Sequence, residues 1–301
     1  MTAVDALRTP DDRFADLQDF PYPPHYVNTL AGYEGLRAHY LDVGPRDAER
    51  TFLCLHGEPT WSYLYRKMIP VMLESGARVI APDFFGFGRS DKPVQDSAYT
   101  FHFHRTFLLR FVEHLAIRNI TLVAQDWGAT LGLTLPVDPG FRSNLDRLLV
   151  MNTVLPVGEP LGPHFYEWRS VVRNTTDLPV GQWIRDTAPQ LTDREMAGYD
   201  APFPDSRFQA GARTFPDLAM VEPQMEGVAE SREALRFWTE QWSGQSFMAI
   251  GAKDPDVEAM QALRTRIRGC PEPLVVTEAG HFVQEWGEPV ARAALRSFGD
   301  L

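Results

Sequence analysis

Along the chain, short apolar runs alternate with longer amphipathic stretches, the order expected of a mainly parallel sheet joined by crossover helices. The runs that predict strands are Leu36–Val43, Phe52–Leu55, Val79–Ala81, Ile120–Val123, Leu145–Met151, Phe247–Gly251 and Leu274–Thr277. Helical periodicity is clearest over Phe101–Leu115, Arg232–Trp242, Glu258–Ile267 and Val290–Phe298. Between about Val157 and Met225 the strand rhythm stops, and the stretch carries Trp168, Trp183, several prolines and the helix-like segments Gly181–Ala188 and Thr192–Tyr199. This pattern predicts a mostly helical cap, residues 157–225, inserted into an α/β core made of residues 1–156 and 226–301. A length of 301 residues fits one large α/β unit with such an insertion.

Composition narrows the partners. Lys and Arg total 29 against 40 Asp and Glu, a net charge of −11. So acidic a chain repels phosphate backbones and anionic lipid, which argues against nucleic acid and membrane-surface partners. No segment approaches the roughly 18 consecutive apolar residues of a spanning helix, and the N-terminal residues lack the basic head and apolar stretch of a secretory signal. The two cysteines, Cys54 and Cys270, form no C-x-x-C pair; a disulfide framework or zinc site is not expected, and a reducing compartment, the cytoplasm, is the expected location.

The run from Ile120 to Thr130 carries the first chemistry. A strand ends at Gln125, Asp126 follows, and Ala124, Gly128 and Ala129 supply small residues around it. Small residues flanking a tight strand-to-helix turn are the pattern of a nucleophile elbow, here holding Asp where Ser is usual; taken alone, the same Asp could simply cap a helix. Two other segments strengthen the elbow. His56-Gly57-Glu58-Pro59-Thr60-Trp61 follows a buried strand, where this architecture places a main-chain N–H donor facing the nucleophile, the second donor coming from the residue after it. His281, in Ala279-Gly280-His281-Phe282, follows the last strand, the place for a base. For the acid that orients it, Asp254 is the choice over Asp256 in the same compact turn; Asn152, at the other place where such folds put an acid, is a neutral amide and cannot stabilise an imidazolium as a carboxylate does.

A carboxylate nucleophile suits attack at an sp³ carbon bearing a leaving group and yields an alkyl ester on the enzyme. An imidazole can then activate water to cleave that ester. A departing halide needs N–H donors in a dry pocket, whereas an opening epoxide needs acidic O–H donors such as tyrosine. Trp127, directly after the elbow, and Trp168, in the cap, offer indole N–H groups that donate and never accept. Trp183, Trp238, Trp242 and Trp286 are expected to serve as packing. Phe101-His102-Phe103-His104 lacks a third ligand at helical spacing and is no metal site.

The strings His56–Arg66, Pro82–Pro93, Gln125–Gly128 and Gly280–Glu285 closely resemble the haloalkane dehalogenases, in the branch typified by the 1,2-dichloroethane-hydrolysing enzyme. The resemblance spans nearly the whole chain. It implies an α/β-hydrolase fold, a mostly parallel eight-stranded sheet flanked by helices with a helical cap, no cofactor, no metal, and a monomer acting on a small apolar halogenated substrate to give an alcohol and a halide ion. By the same resemblance Asp126 is the nucleophile, His281 the base and Asp254 the acid; Glu58 and Trp127 supply the main-chain oxyanion donors; Trp127 and Trp168 bind the halide; Phe165, Phe215 and Pro216 line the pocket. Departures are a shorter turn after Asp254, a shorter start of the cap around residues 157–164, Thr130 in place of a bulky aromatic, and Ala219 in place of a larger aliphatic residue. Each removes wall volume and predicts a roomier pocket suited to longer or brominated alkanes.

Three other readings make distinct demands. An epoxide hydrolase needs cap tyrosines such as Tyr166 or Tyr199 in the pocket. A fluoroacetate-type dehalogenase needs cationic groups beside the nucleophile. A non-catalytic receptor on the same fold needs only the cavity.

Overall fold

In the computed structural model, which describes residues 4–301, eight strands form one sheet: β1 (His25–Val27), β2 (Ala38–Val43), β3 (Thr51–Leu55), β4 (Arg78–Pro82), β5 (Ile120–Gln125), β6 (Leu145–Met151), β7 (Gln245–Gly251) and β8 (Leu274–Val276). Their spatial order is β8-β7-β6-β5-β3-β4-β2-β1, with β2 antiparallel to β4 and to β1 and every other pairing parallel. Every residue of β3 and β5 is buried, because helices cover both faces. That is why these strands read as continuous apolar runs without alternation. The β1 strand gives no such signal: it is a three-residue edge segment, His-Tyr-Val, only half buried, and sequence periodicity overlooks it.

The remaining expectations shift by a few residues at most. Helix Phe101–His114 starts where the Thr100 hydroxyl accepts the Phe103 N–H. The helix expected over 232–242 begins earlier, at Val228, and its last turn, Phe237–Gln241, widens to π geometry. Between β6 and β7 the chain is helical, with the segments Pro163–Asn174, Val180–Thr187 and Asp193–Asp200. The last is opened by a reciprocal cap in which Thr192 accepts the Glu195 N–H and Glu195 accepts the Thr192 N–H.

This helical region is tied to the sheet by a buried ion cluster. The Arg66 guanidinium grips both Glu285 oxygens at 2.6 and 2.7 Å and reaches Glu195 at 2.8 Å; Lys67 joins both carboxylates at 2.9 and 2.8 Å, and the Tyr199 hydroxyl donates to Glu285. Burial works to raise the Glu195 carboxyl, but the Thr192 N–H, Arg66 and Lys67 outweigh it and hold it at about 2. Both cysteines are free and buried. Among the described residues no helix is long and apolar enough to cross a membrane.

Candidate active site

At the end of β5 the backbone turns so sharply that Asp126 sits at φ 50°, left-handed backbone that a non-glycine residue adopts only when its surroundings force it. Two glycines make room for the turn. A Cβ on Gly128 would lie 2.1 Å from the Leu55 carbonyl oxygen, and one on Gly57 would lie 2.4 Å from Asp126 Oδ1. The Asp126 N–H donates to the Asn152 carbonyl at 3.0 Å, and the Thr153 hydroxyl donates to the Asp126 carbonyl at 2.9 Å. The turn is thus fixed on both sides while the Asp126 carboxylate projects into a cavity.

Three segments converge on that carboxylate. The Glu58 main-chain N–H donates to Asp126 Oδ1 at 2.9 Å. On the other oxygen, His281 Nε2 stands 3.4 Å from Oδ2. The His281 Nδ1 in turn meets Asp254 Oδ2 at 2.8 Å. Asp254, not Asp256, is therefore the carboxylate on the imidazole. Asp256 contributes its main-chain N–H to Asp254 Oδ1 at 2.9 Å, and its own side chain faces His164 at 3.5 Å. The Asn152 amide also donates to Asp254 Oδ2, at 2.5 Å, and accepts the Gly251 N–H at 3.0 Å, bracing the acid from the neighbouring strand.

The charges follow from this arrangement. Burial works against an imidazolium at His281, but the Asp254 and Asp126 carboxylates outweigh it and hold the imidazole well above its ordinary value. Asp254 is itself driven the opposite way: burial raises it, and His281 together with the N–H donors brings it below the usual carboxylate range. Glu58 differs in kind. Burial and then the neighbouring Asp126 carboxylate push its carboxyl well above the usual range, and neither the Trp168 indole nor His281 offsets them.

The cavity, about 290 Å³, is lined by Glu58, Asp126, Trp127, Thr130, Phe165, Trp168, Pro216, Asp254 and His281, among others. Two expected wall residues are absent from it. Phe215 and Pro216 are neighbours on one tight helical turn, so they point different ways: Pro216 faces the cavity, while Phe215 is fully buried behind Trp127, at 5.2 Å between rings, and against His104 and Phe87. Ala219, also buried, follows that turn in extended backbone and does not reach the wall. Sequence reasoning missed other members. Trp183, expected to be packing, lines the cavity and stacks edge-on against Trp168 at 4.8 Å. Its spacing from Val180 and Thr187, three and four residues away along helix 180–187, was the available signal. Met260, His164, Leu161 and Phe282 also belong to the wall. Among the described residues no tyrosine, lysine or arginine lines it; Tyr199 is spent on the ion cluster. Among the described residues no group of three or more His, Cys, Asp or Glu is placed to hold a metal.

A sheet of this order, with a carboxylate on the elbow, an imidazole facing it and a helical region over the cavity, defines an α/β hydrolase. The family model described as alpha/beta hydrolase fold matches residues 50–288. A haloalkane dehalogenase of Mycolicibacterium paratuberculosis is 42% identical over 288 residues, covering 93% of each chain. One from Psychrobacter cryohalolentis is 38% identical over 302 residues, covering 98% of each. Among solved structures, the tetrameric haloalkane dehalogenase DpaA of Paraglaciecola agarilytica is 50% identical, with a TM-score of 0.96 over 98% of this chain and 99% of that one. The chain belongs to the haloalkane dehalogenases, hydrolases acting on carbon–halide bonds.

Proposed function

We propose that the chain hydrolyses small haloalkanes in two steps, with Asp126 as nucleophile, His281 as base, Asp254 as its orienting acid, and residues 157–225 as the cap. In the first step an Asp126 carboxylate oxygen bonds to the halogen-bearing carbon, the carbon–halogen bond breaks, and the halide leaves with its electron pair toward the Trp127 and Trp168 indoles. In the second, His281 Nε2 takes a proton from water as the water oxygen attacks the ester carbonyl carbon of Asp126. Negative charge then gathers on the ester carbonyl oxygen. The Glu58 main-chain N–H already meets Asp126 Oδ1 at 2.9 Å, and Trp127, in the first turn of its helix, has a main-chain N–H with no intrahelical partner. Collapse breaks the bond between the carbonyl carbon and the alkyl oxygen, and the departing alkoxide takes back the proton from His281 to become the alcohol. The remaining carboxyl proton passes by way of His281 to solvent, which restores the carboxylate.

Charge coupling orders these steps. With Asp126 ionised, two carboxylates favour the imidazolium and hold the imidazole above its ordinary value. Ester formation removes one of them, so the imidazole loses a proton more readily when a base is required.

The observation that carries the proposal is a carboxylate on a positive-φ elbow, 3.4 Å from an imidazole, in a cavity whose wall holds the Trp127 and Trp168 indoles and, among the described residues, no tyrosine, lysine or arginine. An epoxide hydrolase would need the tyrosine, and a fluoroacetate-type enzyme the cation. The test is halide release from 1,2-dibromoethane and 1-bromobutane by the intact chain and by Asp126→Asn. Bromide released by the first and not by the second supports the reading; none released by the intact chain ends it. Thr130, the wall residue that replaces a bulky aromatic, supports a preference for the longer substrate, and comparable rates on 1,2-dichloroethane and 1-bromobutane would count against it. The family resemblance predicts a monomer and DpaA is a tetramer; the mass in solution, near 34.1 kDa or about four times that, decides between them. A reducing compartment, the cytoplasm, fits the two unpaired, buried thiols.

A further inference from the structure

Glu58 has two separable parts. Its main-chain N–H is committed to Asp126, but its side chain turns into the cavity, only 4% exposed, where among the described residues no lysine or arginine lines the wall. There its Oε2 accepts the Trp168 indole N–H at 3.3 Å, and its Oε1 is buried with no partner. The same indole N–H is one of the two donors that the halide requires under the reading above. Carboxyl and halide therefore compete for one hydrogen.

We propose that the Glu58 side chain is a positioning residue for the halide site, holding the Trp168 indole away from the halide when ionised and yielding it when neutral. The proposal rests on Trp127 and Trp168 being the halide donors. A carboxylate is a far stronger acceptor than a neutral acid and also repels a halide in the same cavity. A neutral carboxyl is a weak acceptor with an O–H of its own, and the unpartnered Oε1 leaves that O–H free of any protein acceptor. The groups facing Glu58 are Asp126 from the elbow, His281 from the loop after β8 with Asp254 behind it, and from the cap only the Trp168 indole; Asp256 and His164 lie on the same cavity wall. Burial and Asp126 favour the neutral acid, so the resting site is set to receive a halide. Halide binding then keeps a proton on Glu58, and ionisation of Glu58 to solvent helps expel the product.

The experiment is bromide titration of the purified protein, read by tryptophan fluorescence or calorimetry between about pH 5 and about pH 9, on the intact chain, Glu58→Gln and Trp168→Phe. Glutamine keeps the main-chain donor and the size of the side chain but cannot ionise. The intact chain is expected to lose at least about tenfold in bromide affinity across this range beyond any loss in Glu58→Gln, whose remaining slope reports His281. Parallel profiles, with bromide binding weakened in Trp168→Phe, overturn the role of Glu58 alone. Unchanged bromide affinity in Trp168→Phe overturns the halide-pair reading and this proposal with it. Should Glu58→Gln fail to fold, the intact chain suffices: its Trp168 indole N–H resonance, assigned by its loss in Trp168→Phe, must move with pH as the carboxyl ionises, and a stationary resonance overturns the proposal.

Discussion

Asp126 and Trp168 face the same cavity, yet every residue from Trp127 to Gly132 in the helix behind Asp126 is buried, whereas in helix 163–174, which carries Trp168, only Val172 is. The Asp126 side is set by backbone packed on backbone, with no room for a methyl group at Gly128. The Trp168 side is joined to its surroundings by single side-chain contacts, two of the three between half-exposed groups: Trp168 to Glu58 at 3.3 Å, His164 to Asp256 at 3.5 Å, Arg173 to Asp217 at 2.6 Å. A wall held by a few half-exposed contacts opens at far lower cost than one held by the core. The difference teaches where motion can occur: in the proposed reaction the carboxylate must stay fixed for attack, while the donor that receives the halide must later release it. Helix 193–200, elsewhere in the same helical region, is pinned by the Arg66 cluster and cannot take part in that release.

Breaking the rigid side should cost most. Gly128→Ala forces a methyl group onto the Leu55 carbonyl oxygen; a loss on the order of 4 kcal/mol is expected, read by urea unfolding, with activity lost alongside. Arg66→Met comes next, since it leaves the buried Glu195 and Glu285 carboxylates with only the partly exposed Lys67 as cation; about 3 kcal/mol is expected by the same measurement. The intact chain supplies a companion test by acid titration. A Glu195 carboxyl lowered to about 2 stabilises the fold fully above its ordinary 4.5 and loses that contribution as pH falls through that interval. Arg66→Met should flatten this part of the profile.

On the looser side the effects move from stability to catalysis. Under the proposed function Trp168→Phe removes one N–H from the halide and should lower kcat/KM for bromoalkanes about 10- to 100-fold, with the thermal midpoint changed by only a few degrees. A midpoint shift as large as that of Gly128→Ala would erase the contrast between the two walls. Smallest of all, Val171→Ala, on the same helix with its side chain 46% exposed, should stay within about 0.5 kcal/mol; a larger loss would mean that this face is covered by another chain.

Much of the rigid side is legible in the sequence because its determinants are local. A strand buried on both faces must be continuously apolar, as β5 is, and a turn that admits no Cβ must carry small residues, as Gly57 and Gly128 show. The strand Leu145–Met151 coincides with its apolar run to the residue. The half-buried edge strand β1 has neither constraint and left no signal. In the cap, Phe215 carried the family's motif yet faces the core, since a single helical turn sends adjacent side chains in different directions and motif position does not say which one faces inward. Trp183 was misjudged for the converse reason: an indole looks alike in sequence whether it fills a core or lines a wall.

By itself, then, the sequence determined the order of strands and helices, the elbow at Asp126 and the residue types of its chemistry, because these depend on patterns a few residues long. Only the tertiary structure decided between Asp254 and Asp256, put Asn152 on the chosen acid, turned Phe215 and Ala219 away from the cavity, and set the Glu58 carboxyl against the Trp168 indole. Each of these rests on the approach of side chains far apart in the chain, Glu58 and Trp168 by 110 positions. Such distances are fixed by how whole elements pack, and no local spacing records them.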